Sequence, residues 1–222
     1  MSRKLFELAE LEYLDIKTEN TDGKRFYITP TGEKYPSVTT VTGLNSREHI
    51  KLWRERVGEE TANRITTQAA RRGTKMHQYF EDYLKKEKDV IEFDNIIEQS
   101  MFTSVQPLLD EIIPIAIEAP LFSHNLEMAG RVDCVGIFED EVCIIDFKTA
   151  SKHKEEKHVI SYFLQETAYA MMVEEMTGER IDNLVTIVAI EGGHSQLFTC
   201  EPYGYREKLI ELREQYRNLY KV

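Results

Sequence analysis

Gly130-Arg131-Val132-Asp133-Cys134-Val135-Gly136-Ile137-Phe138, the pair Glu139-Asp140, and Glu141-Val142-Cys143-Ile144-Ile145-Asp146-Phe147-Lys148-Thr149 decide the fold of this chain. Two apolar segments flank a two-residue turn, the pattern of a tight β-hairpin. Side chains alternate faces along a strand. Asp146 and Lys148 therefore point the same way, and Phe147 points into the opposite layer. In a hairpin Asp133 comes beside Asp146. Two carboxylates converging at a sheet end make a site for a hard cation, and a lysine next to them can handle a water or an anionic oxygen. A lone Asp-X-Lys is common by chance. Here it ends an apolar strand and follows a second strand that carries its own aspartate.

Further strands surround the hairpin. Pro114 to Phe122 precedes it, and the second strand runs from about Leu126 to Phe138. Leu184 to Ile190 is almost wholly apolar, which predicts a central, doubly covered strand. Ser195 to Cys200 fits an edge. Ser161 to Met176 has helical character and stops at Thr177-Gly178, and Glu201 to the end predicts a polar helix. Upstream, Arg25 to Thr29 alternates like a strand, and Tyr35-Pro36-Ser37-Val38-Thr39-Thr40-Val41 is a mixed loop and extended segment. From about Ser46 to Lys86 apolar residues recur at helical spacing, with Gly58 and Gly73 expected to divide the stretch. Another helix is expected from about Ile91 to Leu109, closed by Pro114. The order is a helical N-terminal part, about 46–109, followed by β-β-β-α-β-(β)-α over about 114–222. That order predicts an α/β (α+β, mixed-sheet) three-layer core. With no repeat, low-complexity tract or linker, one domain over 1–222 is the economical organisation.

Composition narrows the function. Of 222 residues, 41% are hydrophobic and 30% charged, which fits an ordinary globular protein. The N-terminus lacks the apolar core of a signal peptide and the Arg-rich character of a transit peptide, so a cytoplasmic setting is expected. No apolar run is long enough for a membrane span. The three cysteines, Cys134, Cys143 and Cys200, form no CxxC pair and sit in apolar surroundings, as reduced core thiols do. A formal net charge of −11 disfavours a protein that coats nucleic acid but is compatible with a local basic cleft. Arg71, Arg72 and Lys75, then Lys148, Lys152, Lys154 and Lys157, supply such charge, diluted by Glu155 and Glu156.

The hairpin and its flanks resemble the PD-(D/E)XK nuclease superfamily, in particular its RecB-like exonuclease branch. Gly73-Thr74-Lys75-Met76-His77 resembles the upstream histidine motif of that branch. Gln165-Glu166-Thr167-Ala168-Tyr169 matches its QxxxY motif, on the helix after the Asp-X-Lys strand. The Tyr35 to Val41 segment resembles the start of phage and mitochondrial genome maintenance exonucleases. The resemblance spans roughly Arg25 to Tyr169, with four motifs in order. It departs from many members in carrying Asp146 where they have glutamate. It also lacks the cysteine cluster of the iron–sulfur members, so no such cluster is expected.

The resemblance implies a restriction-endonuclease-like core and a Mg²⁺- or Mn²⁺-dependent DNA exonuclease of replication, recombination or repair. It favours single-stranded DNA or flaps, admitted through an arch formed by the helical part, in a bacterial or phage-infected cell. Asp133, Asp146 and His77 would be metal ligands, joined by the carbonyl of Phe147. Lys148 would orient or deprotonate water or stabilise phosphoryl charge; metal and desolvation lower a lysine pKa, and neighbouring carboxylates raise it. Glu118, a carboxylate inside an apolar strand, needs a partner, either the metal or Arg131. Gln165 and Tyr169 share a helix face and would hold a phosphate or position Lys148. Ser37, Thr39, Arg71, Arg72, Lys75, Thr149 and Lys152 are expected on the DNA path. Trp53, Tyr79 and Phe80 could stack bases, although aromatic residues at helical spacing usually form core. The alternatives on the same residues are a structure- or sequence-specific endonuclease and a non-catalytic DNA-binding module.

Overall fold

The hairpin turn at Glu139-Asp140 has φ of 51° and 65° at its two residues. Two consecutive positive φ values give the turn whose twist matches that of paired strands. The computed structural model describes residues 3–21, 23–87 and 90–221. In chain order the elements are α1 (Arg3–Ala9), β1 (Lys17–Thr21), β2 (Lys24–Ile28), β3 (Lys34–Pro36), α2 (Val38–Thr42), α3 (Arg47–Val57), α4 (Glu59–Lys85) and α5 (Ile96–Asp110). Then follow β4 (Ile113–Ser123), β5 (Met128–Phe138), β6 (Glu141–Ala150), α6 (Ile160–Thr177), β7 (Asn183–Ile190), β8 (His194–Cys200) and α7 (Arg206–Tyr220). Val222, where the expected terminal helix would end, lies outside the described residues. No helix among the described residues is long and apolar enough to cross a membrane.

The main sheet has five strands in the order β4-β5-β6-β7-β8. β6 and β7 are parallel, joined by the α6 crossover, and the other neighbours are antiparallel. β7 is buried along nearly its whole length, as its continuous apolar sequence predicts. Alternation along β6 sends Cys143, Ile145 and Phe147 to one face, where they pack with Met76 and Phe80 of α4 and with α5. Ile144 on the other face packs with Leu164 and Ala168 of α6, with α7 and with α2. Helices thus cover both faces of a mixed sheet, the three-layer α/β core expected from the element order.

Besides the start of α5, which falls at Ile96 rather than near Ile91, three features differ from the sequence reading. Gly58 separates α3 from α4 with a φ of 84°, but Gly73 lies inside one continuous α4. An isolated helical glycine costs only about 1 kcal/mol against alanine, and α4 is held by the packing that follows Gly73, where Met76, Tyr79, Phe80 and Leu84 are buried. The Tyr35 to Val41 segment ends a strand at Pro36 and at once begins α2, capped by Ser37, whose Oγ accepts from the Thr40 amide at 3.1 Å. The third is a separate three-stranded antiparallel sheet, β1-β2-β3, of which the sequence reading identified a single strand. Its β1, Lys-Thr-Glu-Asn-Thr, is polar and exposed throughout, so no hydrophobic alternation marks it.

Candidate active site

The ladder between β5 and β6 ends at Cys134 and Ile145. The next pair in that register would be Asp133 with Asp146. There the strands part: β5 stays paired with β4 down to Met128, and β6 stays paired with β7 up to Ala150. Backbone groups at such a fork need other partners. The Phe147 amide donates to Asp133 Oδ2 at 2.8 Å, so a carboxylate stands where a ladder carbonyl would have been. Asp133 and Asp146 flank this fork: Asp133 lines the cavity beside it, and Asp146 is buried behind.

Asp146 is 1% exposed. Lys148 is ion-paired to its Oδ2, and Gln165 Nε2 donates to its Oδ1 at 2.8 Å. Burial pushes the Asp146 carboxyl up to about 6, Lys148 pulls it down and Asp133 adds to the rise. For Lys148, burial favours the neutral amine, yet Asp146 and Asp133 outweigh it and hold the pKa above the usual lysine range. The side chain is an ammonium in this arrangement, suited to binding an anionic oxygen rather than to taking a proton. Its Nζ also lies 5.3 Å from the centroid of the Tyr162 ring on α6.

His77 reaches the fork from α4, on the other layer. Its Nδ1 lies 3.5 Å from Asp133 Oδ2. Burial disfavours a charged His77, but Asp133 raises its pKa above the ordinary imidazole value. In turn, burial would raise the Asp133 carboxyl, but His77, Lys148 and the Phe147 amide hold it below its usual value.

Glu118 sits opposite Asp133. Its neighbours pair normally, Ile117 with Cys134 and Ala119 with Val132, while Glu118 itself drops out of the ladder with a φ of 53°. Positive φ at a residue with a side chain is uncommon and marks over-determined local structure. Of the two partners weighed for Glu118, Arg131 is within reach. Arg131 Nη1 donates to the Glu118 carbonyl oxygen at 2.5 Å, with Arg131 Nε 4.0 Å from the carboxylate. His77, Glu118 and Asp133 also each offer one ligand atom, all within 4.8 Å of one another. One imidazole nitrogen and two carboxylate oxygens fit a Mg²⁺ or Mn²⁺ ion. Burial, with Asp133 and Glu81 adding to it, pushes the Glu118 carboxyl up to about 7, and His77 and Arg131 offset only part of that rise. Asp146 stands outside this trio, its carboxylate engaged by Lys148 and Gln165.

The other expected residues divide. Lys148, Gln165 and Tyr169 line one cavity of about 710 Å³ with His77, Glu118 and Asp133. Gln165 holds Asp146 rather than Lys148. Tyr169 is buried against β5, its hydroxyl 2.8 Å from where a Cβ on Gly130 would stand. Ser37 and Thr39 line the same cavity, although the Ser37 hydroxyl is already used as the α2 cap. Arg71, Arg72 and Lys75 line a neighbouring groove on another face of α4. There Arg72 is ion-paired to Glu191, and Lys75 Nζ lies 3.0 Å from Asp94. Thr149 is half-buried on β6, facing Gly73 of α4, and Lys152 is exposed beyond the strand end. Tyr79 and Phe80 are core residues rather than base-stacking platforms, and Trp53 is half-buried on α3. Cys134 and Cys143 are buried free thiols, with Cys200 half-buried.

Two parts of the site escaped the sequence. Glu166, beside Gln165, is fully buried; its Oε1 accepts from the Thr186 hydroxyl, and its Oε2 has no hydrogen-bond partner among the described residues. Thr186 pairs with Asp146 across β6 and β7, which sets Glu166 over the same patch of sheet. A carboxylate between Leu164 and Ala168 was the available signal. The other part is the β1-β2 wall of the cavity, which no local pattern announced.

A profile of the PD-(D/E)XK nuclease superfamily matches residues 47–193. Mitochondrial genome maintenance exonuclease 1 of Homo sapiens is 27% identical over 129 residues, covering 54% of this chain and 38% of that protein. The Mus musculus protein of the same name is 26% identical over 110 residues, covering 47% of this chain and 32% of that one. The chain thus spans about a third of the length of these curated relatives. Among solved structures, that of SSO0001 aligns over 98% of this chain and 85% of its own, at 14% identity and a TM-score of 0.46.

Proposed function

The chain belongs to the PD-(D/E)XK nuclease superfamily, and from that premise we propose that it is a Mg²⁺- or Mn²⁺-dependent DNA exonuclease. Its preferred substrate is a single strand or flap, and its setting is DNA replication, recombination or repair. The observation that carries this reading is the fork between β5 and β6, beside which Asp133 and Lys148 line one cavity with His77 while buried Asp146 is ion-paired to Lys148.

His77, Asp133 and Glu118 would hold the cation, with Asp146 and the Phe147 carbonyl completing the set. A divalent ion held there would supply Lewis-acid polarisation of a phosphate oxygen. The protein's own groups do the rest. Lys148, kept as an ammonium, binds a non-bridging phosphate oxygen or the attacking water by hydrogen bond. Gln165 fixes the rotamer of Asp146, and Tyr169 packs over Gly130 to fix the β5 edge. Thr39 and Ser37 offer hydroxyls along the cavity. Arg71 and Lys152, both exposed, attract the strand from outside it. The helical part, α3 to α5, is the element through which a strand would be threaded.

The test uses end-labelled linear single strands, flaps, duplexes and a closed single-stranded circle, each with Mg²⁺ or Mn²⁺. The expected result is stepwise shortening of linear strands and flaps, with the circle intact. Digestion of the circle would replace the exonuclease with an endonuclease on the same residues. Inertness toward every substrate with both ions would leave a DNA-binding module.

A further inference from the structure

One wall of the catalytic cavity comes from the small N-terminal sheet. Within that sheet Thr18 pairs with Tyr27, and Asn20 pairs with Arg25. Directly paired residues share a face, as do alternate residues of one strand. Thr18, Asn20, Arg25 and Tyr27 therefore form a single surface, and all line the cavity that holds His77, Asp133 and Lys148. Tyr27 is buried as the base of this surface, and Thr18, Asn20 and Arg25 stand exposed around it. The neighbouring cations are engaged elsewhere. Lys24, facing the other way, has its Nζ 3.2 Å from the Tyr220 ring centroid, and Lys34 is paired to Glu19 at 2.6 Å. Arg25 has no carboxylate within 4.0 Å among the described residues.

We propose that Arg25, with Asn20 and Thr18, is a phosphodiester-binding platform that grips the backbone of the substrate strand beside the scissile phosphate. The proposal rests on the nuclease reading of the same cavity. A guanidinium offers forked donors that match a phosphate, and the amide and hydroxyl add hydrogen bonds to phosphate or sugar. The exposed polar residues of the platform offer no ring on which a base could stack, so its grip is independent of sequence. In a chain of net charge −11, an unpaired guanidinium at the site supplies attraction that the molecule as a whole does not.

The experiment measures binding of fluorescent oligo-dT by the full chain in Ca²⁺ over a salt series, alongside cleavage kinetics in Mn²⁺. Arg25→Ala is expected to weaken binding about tenfold at low salt. It should also lower the slope of log K against log salt by about 0.7, the value of one single-strand phosphate contact. In kinetics KM rises and kcat holds. Lys24→Ala, the same charge change on the opposite face, should leave the slope unaltered. An unchanged slope in Arg25→Ala, an equal effect from Lys24→Ala, or no binding of single strands by the wild type overturns the platform. If Arg25→Ala loses binding while the wild type proves unable to cleave, the platform stands and the hydrolytic reading falls.

Discussion

Lys148 and Asp146 show how burial and charge compete at a single pair of residues. Burial alone would discharge both side chains, yet their contact and the nearby Asp133 keep the lysine protonated. Glu166 has no ion-pair partner among the described residues, and Lys148 lowers its pKa only in part. Burial, with Asp146 close by, pushes its carboxyl well above the usual 4.5, and Thr186 lowers it only in part. The native protein therefore keeps a proton that the unfolded chain releases once the pH passes the ordinary carboxylate value. Stability is lost as pH rises from there toward the folded-state pKa, at up to about 1.4 kcal/mol per pH unit. Glu166→Gln cannot ionise and escapes that loss. Thermal melts in EDTA should show the variant gaining on the wild type as pH rises above about 5. Melting curves that stay parallel over that range would show that Glu166 ionises normally.

At the scale of elements, the β5–β6 fork is the feature on which the site depends. Its hairpin was legible because alternation, turn chemistry and strand length are all local, and the helix carrying Gln165 and Tyr169 was legible from its period. Gly73 misled because a glycine's local cost is small beside the packing of a long helix on a sheet. Glu118 was visible as an out-of-place carboxylate, but its positive φ belongs to an unpaired position inside the β4–β5 ladder, which a single strand does not reveal. Gly130 has a reason that only the fold shows. A Cβ there would lie 2.8 Å from Tyr169 Cε1 and Oη, closer than side chains approach. Gly130→Ala must push Tyr169 off β5, at about 1–3 kcal/mol, and shift Asp133 on the same strand. Denaturant melts should show that loss together with reduced cleavage. Wild-type stability in the variant would mean that Tyr169 does not pack as described.

For the whole molecule, a strongly acidic chain gathers a few cationic groups in one cavity between two sheets and α4, as the proposed polyanion site requires. The charge balance indicated only that such a cleft must be local. The second wall, from β1 and β2, was hidden because it is polar, short and joined to the site by long-range contacts rather than by pattern. The central claim is that Asp133 and Asp146, brought together where β5 leaves β6, are the hydrolytic centre. Single-turnover cleavage of a labelled linear single strand in saturating Mn²⁺ tests it most directly, comparing the wild type with Asp133→Asn and Asp146→Asn, each verified as folded by circular dichroism. The account predicts cleavage by the wild type, lost on chelation, and a rate at least about a hundredfold lower in each variant. Cleavage by either folded variant at the wild-type rate would contradict it.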